Sequence, residues 1–233
     1  FCVMNNQLLY GIALTLVPGV GDVNAKKLVA YCGGAEAVFK EKKKNLLHIS
    51  GIGERTVDSI VKQDVLSRAE RELLFVEKNN IKVLYYLNQD YPKRLQHCYD
   101  SPIILYSKGV SDLNVEKIVG VVGTRNISEY GKMLAEKLVS QLASDNVLVV
   151  SGLAYGVDTY AHNAALKNNL VTAAVLAHGF QTIYPAANLG LAKRIVDSGG
   201  CLHATTSVPT RVLRSLALIS SRAAWKSLID CEL

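Results

Sequence analysis

The chain lacks the devices that staple small proteins or bind metals. Its five cysteines, Cys2, Cys32, Cys98, Cys201 and Cys231, stand singly among 233 residues. No two have metal-ligand spacing, and an odd count argues against a disulfide framework. The five histidines are equally scattered, so a metal site would need long-range assembly and none is expected. No apolar run approaches the roughly 18 residues of a membrane helix, and no membrane partner is expected. The stretch from Leu8 to Val20 is broken by Gly11, Pro18 and Gly19 and has no cationic leader. A signal peptide is therefore not expected, and Met4 reads as the natural start. Together these absences point to a reducing cytoplasm.

Signatures of nucleotide and acyl chemistry are missing too. There is no G-x-x-x-x-G-K-[ST] phosphate loop. The first glycine turn after a strand does not continue as G-x-G-x-x-G, and the next strand ends in Ser151 rather than an acid. Dinucleotide binding in the usual mode is thereby disfavoured. Ser151 sits in no G-x-S-x-G elbow and has no base near it in sequence, so it does not read as a nucleophile. No cofactor and no catalytic residue is expected. The net charge of +6 hints at a polyanionic partner. Residues 111–200, however, hold seven basic and seven acidic side chains. Without a basic stripe, a polyanion would have to be held by a few placed groups.

What is present is a repeated corner. The apolar run Ile118 to Val122 stops at Gly123-Thr124-Arg125, and Val147 to Val150 stops at Ser151-Gly152, with Gly156-Val157-Asp158 and Ala161-His162 opening the next helix. Strand, glycine turn, helix, twice over, predicts an α/β fold with a Rossmann-like, doubly wound, mostly parallel sheet. The pattern places strands at 118–122, 146–150 and 171–177, and helices near 129–144, 158–168 and 188–198. Upstream, 66–80 reads as an amphipathic helix, 82–87 and 103–106 as strands, and 90–95 as a turn entering a short helix. Segment 66–110 is expected to complete one edge of the sheet. After Gly200 the pattern degrades, and residues 203–233 show no glycine punctuation and no strand-turn logic that continues the sheet.

Ligands bind such sheets at the carboxyl ends of the strands. One tight glycine, a hydroxyl, a fixed cation and a helix start at Gly123, Thr124 and Arg125 suit a phosphate; the alternative is Arg125 paired with a surface carboxylate. In the second corner Asp158 reads as a helix N-cap. His162 reads either as a base or as a structural ring bonding a loop carbonyl. His178-Gly179 follows the third run, and Tyr184-Pro185 offers either a stacking ring or a rigid turn with Tyr184 half-buried.

Residues 4–65 form a small all-α module with an imperfect repeat. Val17-Pro18-Gly19-Val20-Gly21 and Ile49-Ser50-Gly51-Ile52-Gly53 each enter a helix. This resembles a tandem helix-hairpin-helix, or SAM-like, domain. Gly19, Gly21, Gly51 and Gly53 are candidate phosphate contacts through backbone N–H groups, or tight turns between packed helices. Asp22 and Glu54, which follow them, repel phosphate.

The corners together resemble the DNA-processing protein A family (DprA, also called Smf). The carrying segments are Gly123-Thr124-Arg125, Ser151 to Asp158 with Ala161-His162, Val175 to Gly179, and Tyr184-Pro185-Ala186-Ala187-Asn188. The resemblance implies an extended Rossmann fold in residues 66–202. It implies a non-enzymatic protein that binds single-stranded DNA, protects it and hands it to the RecA recombinase in natural transformation, with homodimers in the complete family. It also implies DNA contacts from Gly123, Thr124, Arg125, Ser151, Gly152, Gly156, His178, Gly179, Tyr184 and Pro185, with Asp158 and His162 shaping the pocket. Residues 203–233 do not match the family pattern and are expected to be an unrelated or frame-shifted tail, leaving a sheet edge exposed. The alternatives are a nucleotide phosphoribohydrolase, whose P-G-G-x-G-T this chain lacks, and a protein-interaction scaffold.

Overall fold

The computed structural model describes residues 2–62, 64–110 and 112–207. It divides into two compact units, one running to Tyr91 with Cys98–Leu105 added, the other comprising Pro92–His97 and the chain from Tyr106 on. The expected boundary near residue 65 falls between two helices of the first unit.

In the first unit, α1 (Cys2–Leu16), α2 (Asp22–Cys32), α3 (Ala35–Lys40), α4 (Lys43–Leu46), α5 (Glu54–Lys62) and α6 (Leu66–Lys78) precede strand β1 (Lys82–Tyr85). Ile12, Leu14, Leu28, Val38, Leu46, Val57 and Ile60 fill the interior. Gly11 lies in mid-helix because α1 rides close on the strands. A Cβ there would meet Ile104 Cδ1 at 3.1 Å and Tyr85 Cδ2 at 3.2 Å.

The two halves of the sequence repeat adopt one geometry. Gly19 and Gly51 take φ of +83° and +86°, the left-handed region open to glycine. Val20 N–H bonds the Val17 carbonyl and Ile52 N–H the Ile49 carbonyl, both at 3.1 Å. The copies also close on each other. A Cβ on Gly19 would sit 2.7 Å from Thr56 Oγ1, and one on Gly51 3.9 Å from Asn24 Oδ1. Thr56 and Asn24 are equivalent positions in the two repeats, so the contact is reciprocal. Asp22 and Lys26 of α2 hold the segment before β2. Asp22 Oδ1 accepts from Ile103 N–H at 3.0 Å, and Lys26 Nζ donates to the Cys98 and Tyr99 carbonyls and Ser101 Oγ. Burial pushes the Asp22 carboxyl up and the Lys26 ammonium down from their usual values.

In the second unit the short helix α7 (Lys93–Gln96) and strand β2 (Ile104–Gly109), whose first residues belong to the other unit, lead into β3 (Ile118–Gly120), α8 (Glu129–Gln141), β4 (Leu148–Ser151), α9 (Val157–Lys167), β5 (Thr172–Leu176), α10 (Leu189–Asp197) and β6 (Cys201–Ala204). The sheet order is β1-β2-β6-β5-β4-β3. Strands β3 to β6 are parallel, and β2 runs antiparallel to β6. The crossovers from β3 to β6 all step the same way, and right-handed connections then put α8, α9 and α10 on one face. Two clusters line that face: Val139, Val149, Ala161, Ala164, Ala165 and Leu170, and Ala174, Leu176, Leu191, Ile195, Leu202 and Ala204.

The fold is the expected mixed α/β sheet, preceded along the chain by a helical segment. One expectation fails: the chain makes a further strand after Gly200. Strand β6 lies between β5 and β2, so no sheet edge is exposed there. Its signal was weak because Cys201, Leu202, His203 and Ala204 include a histidine and no glycine turn follows. The expected tail at 203–233 therefore begins inside this strand, and its residues from 208 on lie outside the described ones.

Candidate functional site

Strands β3, β4 and β5 end at one edge of the sheet, and their three following corners close a cavity of about 330 Å³. Gly123 and Arg125 come from the first corner, Gly152, Tyr155 and Asp158 from the second, and His178, Tyr184 and Pro185 from the third.

The first two corners interlock through glycine. Gly156 has φ +80° and ψ −131°, and a Cβ there would lie 2.1 Å from the Thr124 carbonyl oxygen and 2.6 Å from that of Arg125. Only a bare backbone fits. The adjacent Val157 N–H bonds the Thr124 carbonyl at 3.1 Å. A Cβ on Gly123 would in turn strike the Val157 side chain at 2.5 Å. Thr124 is exposed, and its hydroxyl accepts from Asn126 N–H at 3.1 Å, shaping its own loop. Arg125 is exposed and forms no salt bridge with a described carboxylate.

The second corner is clamped from beneath. His162 is fully buried, with Nε2 2.5 Å from the Gly152 carbonyl and Nδ1 2.7 Å from Thr172 Oγ1. The Gly152 carbonyl can only accept, so Nε2 carries the proton, while Thr172 Oγ1 donates to the Val149 carbonyl at 2.8 Å. Burial drives the His162 pKa down to about 4, which keeps the ring neutral. Asp158 is 7% exposed, and its Oδ2 accepts from Ala154 N–H at 3.2 Å. Burial raises its pKa, against the pull of that N–H, of Ser151 and of the Arg125 charge. Asp158 is not the N-cap expected from sequence. The helix starts earlier, with Gly156 in the capping position and no side-chain cap, which frees the carboxylate to close the loop.

Asn188, which closes the Tyr184-Pro185-Ala186-Ala187-Asn188 segment, is a further residue of the site. It is 5% exposed, and its Nδ2 donates to the Leu153 carbonyl at 2.8 Å and Thr159 Oγ1 at 2.9 Å, with the Ala154 carbonyl at 3.3 Å. It therefore ties the third corner to the second. In the third corner Tyr184 N–H donates to His178 Nε2 at 3.1 Å, and His178 Nδ1 bonds the Gly179 carbonyl at 2.9 Å. The Tyr184 ring is 70% exposed, so of the two sequence readings the half-buried one does not hold.

Not every expected residue reaches the cavity. Ser151 is fully buried, its hydroxyl donating to the Val121 carbonyl at 2.7 Å. Gly156 and Gly179 are buried behind the wall. Gly19, Gly21, Gly51 and Gly53 belong to the first unit. The wall also includes Val122, Leu153, Ala154 and Ala177, whose small or apolar side chains gave no sequence signal.

The fold and the cavity define a Rossmann-like α/β protein with a three-cornered, glycine-built cleft at the strand ends. The family model for DNA recombination-mediator protein A matches residues 82–217, past Leu202 where the sequence pattern fades, and the chain belongs to that family. Protein Smf of Synechocystis is 31% identical over 199 residues, 84% of this chain and 50% of that protein. The DNA processing protein DprA of Bacillus subtilis is 37% identical over 123 residues, 52% of this chain and 41% of its own. The chain thus spans half or less of these relatives. The solved DprA of Streptococcus pneumoniae superposes with a TM-score of 0.71 at 24% identity, over 94% of this chain and 83% of that one. That of Helicobacter pylori, described for its single-stranded DNA binding mode, gives 0.55 at 26% over 64% and 65%. Among the described residues no helix is long and apolar enough to cross a membrane.

Proposed function

We propose that the cleft holds the sugar–phosphate backbone of single-stranded DNA and breaks no bond. Three interlocked corners converge beside an exposed arginine that has no salt-bridged described carboxylate, and this observation carries the reading. Arg125 supplies a charge-assisted bond to phosphate, while Gly123 and Gly152, whose Cβ positions are taken up by Val157 and Asp158, keep the corners tight around the cleft. The exposed Tyr184 and Tyr155 rings offer stacking faces on the rim. The buried Asp158 carboxylate keeps phosphate off the floor, so the strand rides along the rim with a sugar or base turned inward. Three side chains that could serve as acid or base, Asp158, His162 and the cavity-lining His178, are each engaged in holding a loop, which supports a binding role. The H. pylori relative's binding mode points the same way. In this reading the protein works in the cytoplasm and passes the bound strand to the RecA recombinase.

Filter binding to oligo-dT over a salt series tests this. A log–log slope of about −0.7 per neutralised phosphate is expected. Arg125→Ala should weaken binding alike for all sequences and flatten that slope by about one phosphate. Unchanged affinity would remove Arg125 from the site, and release of free base from a nucleoside monophosphate would overturn the non-enzymatic reading.

A further inference from the structure

Much of the polar backbone around the cleft is already paired within the protein. His162 holds the Gly152 carbonyl, Asn188 those of Leu153 and Ala154, and His178 the Gly179 carbonyl and the Tyr184 N–H. Ala154 N–H is taken by Asp158. The lining side chains include one arginine, Arg125, and one carboxylate, Asp158. Leu153, Val175, Leu176 and Ala177 add an apolar wall.

These walls suit the flat faces of a base. A sugar would set its hydroxyls against them, and a phosphate would meet the Asp158 charge. At about 330 Å³ the cavity lies at the small end of ligand pockets, with room for one nucleoside. The edge of the base that reaches the floor must then donate, because an ionised carboxylate only accepts.

The four bases differ on that edge. Thymine offers one N–H between two carbonyl oxygens, which a carboxylate repels. Adenine and cytosine each offer one amino group beside a ring-nitrogen acceptor. Guanine presents two adjacent donors, N1–H and the N2 amino group, which match a carboxylate. A duplex hides those donors in base pairing, and a single strand leaves them open.

We propose that Asp158 reads the base turned into the cleft, and that the base it favours is guanine. The role rests on the cleft being the single-stranded DNA site. Arg125 grips any strand through its phosphates, and Asp158 sets where along the strand the protein comes to rest. Oδ2 also serves the Ala154 N–H at 3.2 Å. The preference is therefore about tenfold, in the lower part of what a bidentate base contact supplies.

Fluorescence anisotropy on oligo-dT carrying one central dG, dA, dC or deoxyinosine reads the preference. The dG oligomer should bind about tenfold tighter than plain oligo-dT, with dA and dC close to dT. Deoxyinosine keeps N1–H but lacks the amino group, so it should lose most of the gain. Asp158→Asn keeps the size of the side chain and an oxygen for Ala154 N–H. It should bring the dG-to-dT ratio close to one, whatever its effect on absolute affinity. Should that variant fail to fold by circular dichroism, the deoxyinosine comparison on the unaltered chain decides. Equal affinity for all the oligomers overturns the proposal and leaves strand binding standing. So does a dG preference that deoxyinosine keeps in full or that Asp158→Asn preserves. A chain that binds none of them overturns the proposal together with the single-stranded DNA site.

Discussion

Replacing Gly156 with alanine tests whether the first two corners form one rigid body. The new methyl would have to stand 2.1 Å from the Thr124 carbonyl oxygen and 2.6 Å from that of Arg125. Both atoms are backbone, so neither can swing aside as a side chain would. Relief needs a shift of about 1 Å to reach ordinary carbon–oxygen contact near 3.3 Å. The φ of +80° with ψ of −131° adds a conformational cost of about 1–3 kcal/mol for a residue with a Cβ. The two together predict a loss of about 3–5 kcal/mol in unfolding free energy, among the larger single-residue effects. Gly190→Ala is the matched control, since a Cβ there meets nothing within 4 Å and α10 is helical, so it should be neutral or stabilising by up to about 1 kcal/mol. Urea denaturation of the two variants side by side reads the difference, and oligo-dT anisotropy reads the displacement of Arg125 as an affinity loss of at least about tenfold. A Gly156→Ala protein within 1 kcal/mol of the parent, with undiminished DNA affinity, would refute the interlock.

Asn188→Asp keeps the size of the side chain but removes the N–H donors facing the Leu153 carbonyl and Thr159 Oγ1. It should cost about 2–3 kcal/mol in urea melts, no less than Asn188→Ala; a neutral outcome would show that the third corner does not depend on this tie. His162 and His203 are both buried with pKa values lowered to about 4, while the unfolded chain protonates near 6.5. Between those values the unfolded state holds more protons, so stability falls as pH drops from 6.5 towards 4, by up to about 3 kcal/mol for each ring. His162→Gln should remove about one proton from the slope of urea stability against pH in that window, and an unchanged slope would contradict the assignment.

The elements legible in the sequence are those bounded by a glycine. The ends of β4, α9, β5 and α10 fall within a few residues of expectation because Gly152, Gly156, Gly179 and Gly199 interrupt the apolar pattern. Strand β6 had only four residues, one of them His203, and an apolar run that short is ambiguous without a flanking turn. The site was legible as a set of corners but not as a wired object. That Asn188 holds the Leu153 carbonyl, or that Gly156 makes room for Thr124, depends on segments more than thirty residues apart. Ser151 shows the converse. A hydroxyl at a strand end reads as a ligand group, yet here it fastens β4 to the end of β3.

The paired turns of the helical segment carry a consequence of their own. Gly19 is roofed by Thr56 from the second copy, and Gly51 by Asn24 and Lys27 from the first. Each half therefore supplies the other's missing wall, and neither makes a finished object by itself. The same arithmetic forbids trimming the module to either half, because what remains would present an open glycine bend to water.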